Sequence, residues 1–320
     1  MHMEKRDVIR MKKVFIDGSS GTTGLRIHDR LAARGDLELI TLPEAERKDL
    51  EKRQKAMEQA DVVFLCLPDA AAIEAEKLIA HTDAVVLDTS TAHRTAEGWC
   101  YGFPELSGER KQAIITSKRI AVPGCHASGF IALVYPLVEA GLLEENELLT
   151  CFSLTGYSGG GKSMIADYRA KDRSILLDSP RQYALGQQHK HLKEMHHITG
   201  LSEYPVFCPI VADFYSGMEV TVPLFSSQLL WKATSEDVRE IYKKKYAGPV
   251  VTYRESLEEN GFLAAGLLSG KDSMVVSVSG NEERILLTAV YDNLGKGASG
   301  AAIQNMNLVL GIDETCGLVL

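Results

Sequence analysis

Cys125 stands at a position in the sequence where a thiol could act as a nucleophile. It follows the pair Pro123-Gly124, and the apolar stretch 130–135 comes soon after it. This pattern predicts a strand, a sharp turn and a helix that begins at or just after the cysteine. The positive end of a helix dipole favours thiolate over thiol, so the position suits a nucleophile near neutral pH. We interpret the other five cysteines as structural; Cys66, for example, lies in the apolar run 62–67.

The histidine pair His189 and His191 is the second candidate for chemistry. A thiolate mechanism needs a proton carrier with a pKa near neutrality, which histidine provides. In an extended segment both rings lie on one face, so one can point at Cys125 while the other orients the substrate, and we favour His189 as the carrier. His196 and His197 are interpreted as a solvated helix face. The spacing of these four histidines fits no zinc pattern, so we expect no metal.

Three glycines, Gly18, Gly21 and Gly24, lie between the first predicted strand and the first helix. Glycines there permit a tight turn and a close approach of a pyrophosphate to backbone N–H groups. The spacing G-x-x-G-x-x-G departs from G-x-G-x-x-G. The order strand, glycine loop, helix is nevertheless that of a dinucleotide site.

The residues after this loop leave the choice between NAD and NADP open. The acidic partner of the ribose is expected about 20 residues further on, which reaches Glu44. Arg47 and Lys48 lie close by and could pair with a 2′-phosphate instead. The glycine loop adds three hydroxyls, those of Ser19, Ser20 and Thr22.

A second glycine loop, residues 156–163, matches G-x-x-x-x-G-K-[ST] literally. Taken alone it predicts a P-loop nucleotide triphosphatase. The loop at Gly18 already supplies a nucleotide site, however, and the motif lies in the middle of the chain after a change of pattern. A weaker interpretation is an anion nest of glycine N–H groups and Lys162 that holds a phosphate near Cys125.

The predicted elements divide the chain into two parts. Up to Cys125, strands at 13–17, 37–42, 61–67 and 84–88 alternate with helices, which is typical of a doubly wound parallel sheet. Beyond it, a helix at 129–140 and strands at 148–155, 205–211, 218–225, 274–279 and 285–290 predict an α+β domain with a largely antiparallel sheet. The segment 297–310 is predicted to be a last helix, and the polar residues 1–10 are left out of this prediction.

Composition narrows the class of protein. A chain of 320 residues accommodates two domains, and its net charge of -8 argues against a general nucleic-acid-binding protein. We find no apolar run near the roughly 20 residues that span a bilayer. Six cysteines without regular spacing, a C-x-x-C pair or a signal peptide indicate reduced thiols and a cytoplasmic protein.

Motifs along nearly the whole chain from Met11 together resemble N-acetyl-gamma-glutamyl-phosphate reductase, in particular its shorter bacterial form. They are the first glycine loop, residues 88–94, 101–106, 122–125, 157–162 and 189–191, and the run K-G-A-x-G-x-A-x-Q-N-x-N at 296–307. The Pro-Gly-Cys element and the last run are the most specific. Two departures are His126-Ala127, where the family usually has an aromatic residue and a proline or threonine, and H-K-H in place of H-R-H.

The resemblance implies an NADPH-dependent reductase of arginine biosynthesis, built as a homo-oligomer, dimer or tetramer. It implies a Rossmann-type cofactor domain of residues 11–124 and 296–320, to which the C-terminal helix returns, and an α+β catalytic and oligomerisation domain of residues 125–295. Carried over, Cys125 is the nucleophile and His189 or His191 the acid/base. The remaining site residues are Arg94, Ser158 and Lys162 near the substrate, and Ser90, Gly295 and Gly297 near the cofactor.

The implied reaction reduces N-acetyl-gamma-glutamyl phosphate to N-acetylglutamate semialdehyde. The thiolate attacks the acyl phosphate, phosphate leaves, and hydride reduces the resulting thioester; the covalent step divides one hard reaction into two easier ones. Within this chemistry the alternative is an aspartate-semialdehyde dehydrogenase. Alternatives of other classes are a P-loop ATPase or kinase that uses residues 156–163, and a cofactor-binding regulator without turnover.

Overall fold

The first sheet of the computed structural model, which describes residues 10–320, has six strands, all parallel. The strands are β1 (Lys12–Asp17), β2 (Leu37–Ile40), β3 (Val62–Leu65), β4 (Val85–Asp88), β5 (Cys100–Tyr101) and β6 (Arg119–Ala121), in the order β2-β1-β3-β4-β6-β5. The connecting helices are α1 (Thr22–Ala32), α2 (Leu50–Glu58), α3 (Asp69–Ile79) and α4 (Gly108–Thr116). The predicted doubly wound sheet is confirmed.

Both faces of this sheet are covered, which explains why its strands read as continuous apolar runs. Successive residues of β1 enter different cores: Val14 and Ile16 pack into one apolar cluster, and Phe15 packs into the other. All four residues of β3 are buried. The carboxyl ends of these strands meet at one edge, where the loops that carry the predicted site residues begin.

The second sheet has seven strands in the order β11-β12-β13-β10-β7-β9-β8. Its strands are β7 (Thr150–Gly156), β8 (Arg181–Gln182), β9 (Val206–Ala212), β10 (Met218–Phe225), β11 (Val251–Tyr253), β12 (Met274–Gly280) and β13 (Arg284–Tyr291). Two pairings, β7 with β9 and β11 with β12, are parallel and the others antiparallel. The prediction of a largely antiparallel sheet is therefore confirmed.

Helix α5 (Cys125–Glu139) covers one face of the second sheet. Its residues Phe130 and Leu133 share an apolar core with Val220, Val222 and Leu287. The other helices of this part are α6 (Gly161–Arg169), α7 (Leu192–Thr199) and α8 (Ser235–Lys245). The predicted helix at 129–140 thus begins four residues earlier, at Cys125 itself.

The last helix, α9 (Gly300–Val309), packs against the first sheet. Ala301, Ile303 and Met306 lie in the same apolar cluster as Val14 and Ile16 of β1. A π-helical turn, Gly295–Ser299, precedes α9, so the α-helix is shorter than the predicted 297–310. The chain returns to the first sheet, as the family resemblance implied.

Candidate active site

The first glycine loop has a backbone that requires glycine. Gly18 has a φ of +83°, and a Cβ there would collide with the carbonyl oxygen of Cys66. A Cβ at Gly24 would collide with the carbonyl oxygen of Gly18. Gly21 is the N-cap of α1, and no side chain caps that helix. The first backbone N–H groups of α1 are therefore available to an anion.

A cleft of about 570 Å³ runs from this loop to Cys125. The first turn of α1 forms one end, and the start of α5 forms the other. The predicted site residues that line the cleft are Gly21, Thr22, Gly24, Ser90, Arg94, Cys125, Ser158, His189, His191 and Gly297. The fold therefore joins the proposed cofactor loop and the proposed nucleophile in one cavity.

A neighbouring cavity of about 480 Å³ collects the residues that bear on the choice of cofactor. Its wall includes the remaining loop residues Gly18, Ser19 and Ser20, together with Glu44, Arg47 and Lys48. Arg47 and Lys48 are exposed. Arg53, which the sequence analysis missed, also lines this cavity and binds the buried Asp17 at 2.6 Å.

Cys125 is the first residue of α5, and Gly124 is the N-cap of that helix. Gly124 has no room for a side chain, because a Cβ would collide with Arg94 and Glu194 and would lie 2.6 Å from Nε2 of His191. On the other side, a Cβ at Gly297 would lie 3.0 Å from the Cβ of Cys125. Two glycines thus define the space around the sulfur.

Glu194 fixes the backbone that leads into Cys125. This buried carboxylate accepts hydrogen bonds from Arg94 Nη1 (2.7 Å), Tyr101 OH (2.9 Å) and the N–H of Gly124 (3.0 Å). Arg94 also donates to the carbonyl oxygens of Val122 (3.0 Å) and Thr89 (3.1 Å). Much of the guanidinium is therefore committed to the protein, and the role of Arg94 as a substrate ligand stays a prediction.

Cys125 lies in surroundings that favour the thiol form. Burial raises the pKa of the Cys125 thiol, and the positive charge of Arg94 and the N–H of His126 oppose this rise only in part. The helix position alone had led us to expect a thiolate near neutral pH. Because desolvation outweighs the favourable contacts, the sulfur needs a base to remove its proton.

His189 and His191 both line the cleft, and their ring centroids are 4.8 Å apart. The segment is a turn that enters α7 rather than an extended strand, because the N–H of Leu192 bonds to the carbonyl oxygen of His189 at 3.1 Å. Burial lowers the pKa of His191 well below its ordinary value and lowers the pKa of His189 to about 4. Both rings are therefore neutral at neutral pH.

The two histidines differ in their relation to the sulfur. A ring nitrogen of the buried His191 lies within 4.8 Å of Cys125 Sγ. His189 is only half-buried, and its Nδ1 accepts the N–H of His191 at 3.2 Å. The sequence alone had favoured His189, and which of the two histidines carries the proton stays a prediction.

The second glycine loop forms a 3₁₀ turn, Tyr157–Gly160, before α6. Ser158 is buried and accepts a hydrogen bond from Asn293 Nδ2 at 3.0 Å. Lys162 is exposed and is not among the described residues that line the cleft. Lys190, between the two histidines, does line it. The P-loop interpretation requires the motif lysine, Lys162, at the phosphate site, and the described lining of this cavity does not include it.

Two cofactor residues carried over from the resemblance differ in position. Ser90 is buried at the cleft and binds both carboxylate oxygens of Asp88, with its N–H at 2.9 Å and its hydroxyl at 2.6 Å. Gly295 does not line the cleft, and a Cβ there would collide with the carbonyl oxygen of Lys271. Close packing within the fold accounts for Gly295, whereas Gly297 faces the cavity.

Two family models match the two parts of the chain. The model described as "Semialdehyde dehydrogenase, NAD binding domain" matches residues 13–114, and "Semialdehyde dehydrogenase, dimerisation domain" matches residues 125–293. N-acetyl-gamma-glutamyl-phosphate reductase 2 of Nostoc sp. is 42% identical over 318 residues, which are 96% of this chain and 99% of that protein. The N-acetyl-gamma-glutamyl-phosphate reductase of Brucella ovis is 44% identical over 306 residues, 93% and 99% of the two chains.

The chain belongs to the family of N-acetyl-gamma-glutamyl-phosphate reductases. Solved structures of aspartate semialdehyde dehydrogenases have the same fold. Aspartate semialdehyde dehydrogenase II of Vibrio cholerae, complexed with ASA, has a TM-score of 0.71 at 16% identity and covers 94% of this chain and 99% of its own. The Candida albicans enzyme with NADP has a TM-score of 0.64, also at 16% identity, and covers 94% and 99%.

In this member of the N-acetyl-gamma-glutamyl-phosphate reductase family, His126 lines the cavity. The sequence had marked this residue only as a departure from the family pattern. Its Nδ1 lies 2.6 Å from Ser153 Oγ, and its Nε2 lies 2.6 Å from the hydroxyl of Tyr183. Burial lowers the pKa of His126 to about 3. Its place directly after Cys125 was the one available signal.

The structure also bears on membrane association in this family member. Among residues 10–320, no helix has both the length and the apolar character needed to cross a bilayer.

Proposed function

We propose that the protein reduces N-acetyl-gamma-glutamyl phosphate to N-acetylglutamate semialdehyde with NADPH, as a cytoplasmic enzyme of arginine biosynthesis. The observation that carries the proposal is the single cleft that joins the glycine loop at α1 to the thiol at the start of α5. The names of the relatives supply the substrate. We further propose a cofactor domain of residues 11–124 with 296–320 and a catalytic domain of residues 125–295.

The first chemical step is acyl transfer to Cys125. The His191 ring takes the proton of the thiol, and the sulfur attacks the acyl carbon. The S–C bond forms, the bond between that carbon and the phosphate oxygen breaks, and phosphate leaves with both electrons of the bond. The neutral state of His191 and its distance of less than 4.8 Å from the sulfur support this role.

The start of α5 stabilises the oxyanion of this step. Its first N–H groups have no partner within the helix, and no side chain caps them. Glu194 holds the N–H of Gly124 and thereby fixes the turn that positions these groups. Donors of this kind, held in place before reaction, typically each contribute about 10²–10³ in rate.

The residues of the glycine loop fit a dinucleotide, because Gly18 and Gly24 leave no space for side chains and the start of α1 offers free N–H groups. The bound nicotinamide supplies the hydride that reduces the thioester. Gly297 leaves the space beside Cys125 free of a side chain. His191 returns its proton to the sulfur as the aldehyde is released.

The substrate requirement distinguishes the proposed reductase from the alternative functions. The full-length protein is mixed with NADPH and either N-acetyl-gamma-glutamyl phosphate or aspartyl phosphate, and the loss of the NADPH absorbance is followed. We expect rapid oxidation with the acetylated substrate only. Preference for aspartyl phosphate would indicate an aspartate-semialdehyde dehydrogenase, and oxidation with neither would leave a binding protein.

Replacing Arg47 and Lys48 together by alanine is expected to narrow the preference for NADPH over NADH. Both side chains are exposed at the cavity beside the glycine loop, where a 2′-phosphate would lie. Two lost charge contacts should reduce the ratio of kcat/KM values by about tenfold or more. An unchanged ratio would assign the phosphate to Ser19, Ser20 or Arg53. Lys55→Ala, at an exposed lysine of α2 that is not among the residues lining either cavity, provides a surface control.

Replacing Lys190 by alanine is expected to raise KM for the acyl phosphate by about tenfold, with little effect on NADPH affinity. Lys190 lines the cleft near Cys125 and can act as a point charge for the substrate phosphate. Lys162→Ala, at the lysine predicted from the sequence, is the comparison and should have the smaller effect. A larger rise in KM for Lys162→Ala would restore the glycine-loop anion nest as the phosphate site.

The outer face of the second sheet is proposed as the surface of a homodimer. One face of the sheet packs on α5, whereas the other exposes Phe152, Val206 and Leu286. Exposed apolar patches of this kind mark interaction sites, and the matching family model is described as a dimerisation domain. Phe152→Asp is expected to shift the protein toward the monomer in sedimentation velocity, whereas Ile115→Asp on α4 should not. An unchanged mass for Phe152→Asp would place the interface elsewhere.

A further inference from the structure

Three metal-binding side chains come together at the nucleophile. Cys125 Sγ and one ring nitrogen each of His126 and His191 lie within 4.8 Å of one another. We propose that these three residues bind a divalent cation of intermediate softness, such as Zn²⁺ or Co²⁺, and that the bound cation blocks the nucleophile. The site is inhibitory and reversible, and the cation takes no part in the reductase reaction.

The chemistry of the three side chains matches such a cation. Thiolate and imidazole are the ligands that zinc prefers in proteins. The two imidazoles already lie side by side, with the ring centroids of His126 and His191 5.4 Å apart. Nδ1 of His191 is buried and has no hydrogen-bond partner among the described residues. One ring nitrogen of His191 therefore makes no hydrogen bond within the described residues.

The geometry requires a small contraction. Zinc binds sulfur at about 2.3 Å and imidazole nitrogen at about 2.0–2.1 Å, which places tetrahedral ligand atoms roughly 3.5 Å apart. Because the three atoms already lie within 4.8 Å of one another, they must approach by no more than about 1.3 Å. The Ser153 and Tyr183 hydroxyls hold the two nitrogens of His126, and one of them must release its nitrogen to the cation.

The cleft provides the fourth position of a tetrahedral site. Cys125, His126 and His191 all face this cavity, so a water or chloride can complete the coordination. On binding, the thiol proton passes to solvent and the S–metal bond forms in its place, with no change in oxidation state. The spacing of the four later histidines had predicted no metal; His126 and Cys125 join His191 only through the fold.

The consequence for activity rests on the proposed function, whereas the site itself does not. The proposed reaction acylates the same sulfur that binds the cation, so the two events exclude each other. Zinc should therefore inhibit the reductase, and a chelator should restore it. Prior incubation with the acyl phosphate without NADPH should protect the enzyme.

Cobalt provides a direct test on the full-length protein without cofactor. Titration with Co²⁺ alone should give a sulfur-to-cobalt charge-transfer band and the intense visible bands of a tetrahedral site. His126→Gln should weaken binding by at least about 100-fold, because loss of a mere outer-shell partner already costs 10–100-fold. His197→Gln, an exposed histidine of α7, should leave the affinity unchanged.

The outcomes separate this proposal from the proposed function. Absence of the sulfur band, or equal cobalt affinity in His126→Gln, overturns the metal site whether or not the protein is a reductase. If His126→Gln misfolds, as judged by circular dichroism, His191→Asn replaces it and should weaken binding by at least about 100-fold; equal affinity in His191→Asn then overturns the site. A normal cobalt spectrum in a protein without reductase activity supports the site and contradicts the proposed function alone.

Discussion

Cys125→Ser is expected to lower kcat/KM by about 10³-fold or more, while the protein folds and still binds NADPH. A serine hydroxyl is a far poorer nucleophile than a thiol, and an oxygen ester is less electrophilic than a thioester. The substitution keeps the size of the side chain at the start of α5. Steady-state kinetics and fluorescence titration with NADPH measure the two effects.

A second cysteine provides the control for this prediction. Cys316 lies near the end of the chain outside both sheets and is partly exposed, and it is not among the described residues that line the cleft. Cys316→Ser should therefore retain nearly all of the activity. If Cys125→Ser kept more than about a tenth of the turnover, the covalent mechanism would be wrong.

His191→Asn is expected to lower kcat by about 10²–10⁴, the usual range for a lost general acid or base. His189→Asn should have a smaller effect on kcat and act mainly on KM. The physical reason is that His191 is buried beside Cys125 Sγ, whereas His189 is half-buried and uses its Nδ1 to accept a backbone N–H. The reverse order of effects would restore His189 as the carrier.

The pH dependence of the activity provides an independent test of the role of His191 as the base. The pKa of His191 is lowered, so the neutral base is fully present at pH 7 and is lost only as the pH falls through that lowered value. In His191→Asn the thiol must ionise by itself, and burial raises the pKa of Cys125. The activity of this variant should therefore rise continuously with pH above neutrality, whereas the unmodified protein should show a plateau.

Much of the fold was predictable because buried strands produce apolar runs or a period-two apolar pattern in the sequence. The four-residue strand β3 is buried on both faces, and its short apolar run is typical of a strand in a covered parallel sheet. The period-two pattern of β10 likewise reflects one face on α5 and one face outward. The π-helical turn at Gly295–Ser299 could not be predicted, because it depends on the close approach of Gly295 to Lys271 and of Gly297 to Cys125.

The site was predictable where a local motif carries the chemistry. Cys125 and the glycine loop have strand–turn–helix contexts that can be read along the chain. Glu194 could not be recognised, because its partners Arg94 and Tyr101 are about a hundred residues away in sequence. Lys162 shows the limit of a local motif: its motif is complete in the sequence, but the side chain is exposed and is not among the described residues that line the cleft, so its contact with phosphate stays a prediction. The raised pKa of Cys125 likewise follows from tertiary burial, which a local motif does not reveal.

The central claim is that a thioester forms on Cys125 before hydride transfer, and phosphate release without NADPH tests it most directly. Full-length protein is mixed with N-acetyl-gamma-glutamyl phosphate alone, and both free phosphate and the mass of the protein are measured. The account predicts a burst of about one phosphate per active site and an N-acetylglutamyl adduct on the peptide that contains Cys125. Phosphate release that requires NADPH, or an adduct on another residue, would contradict it.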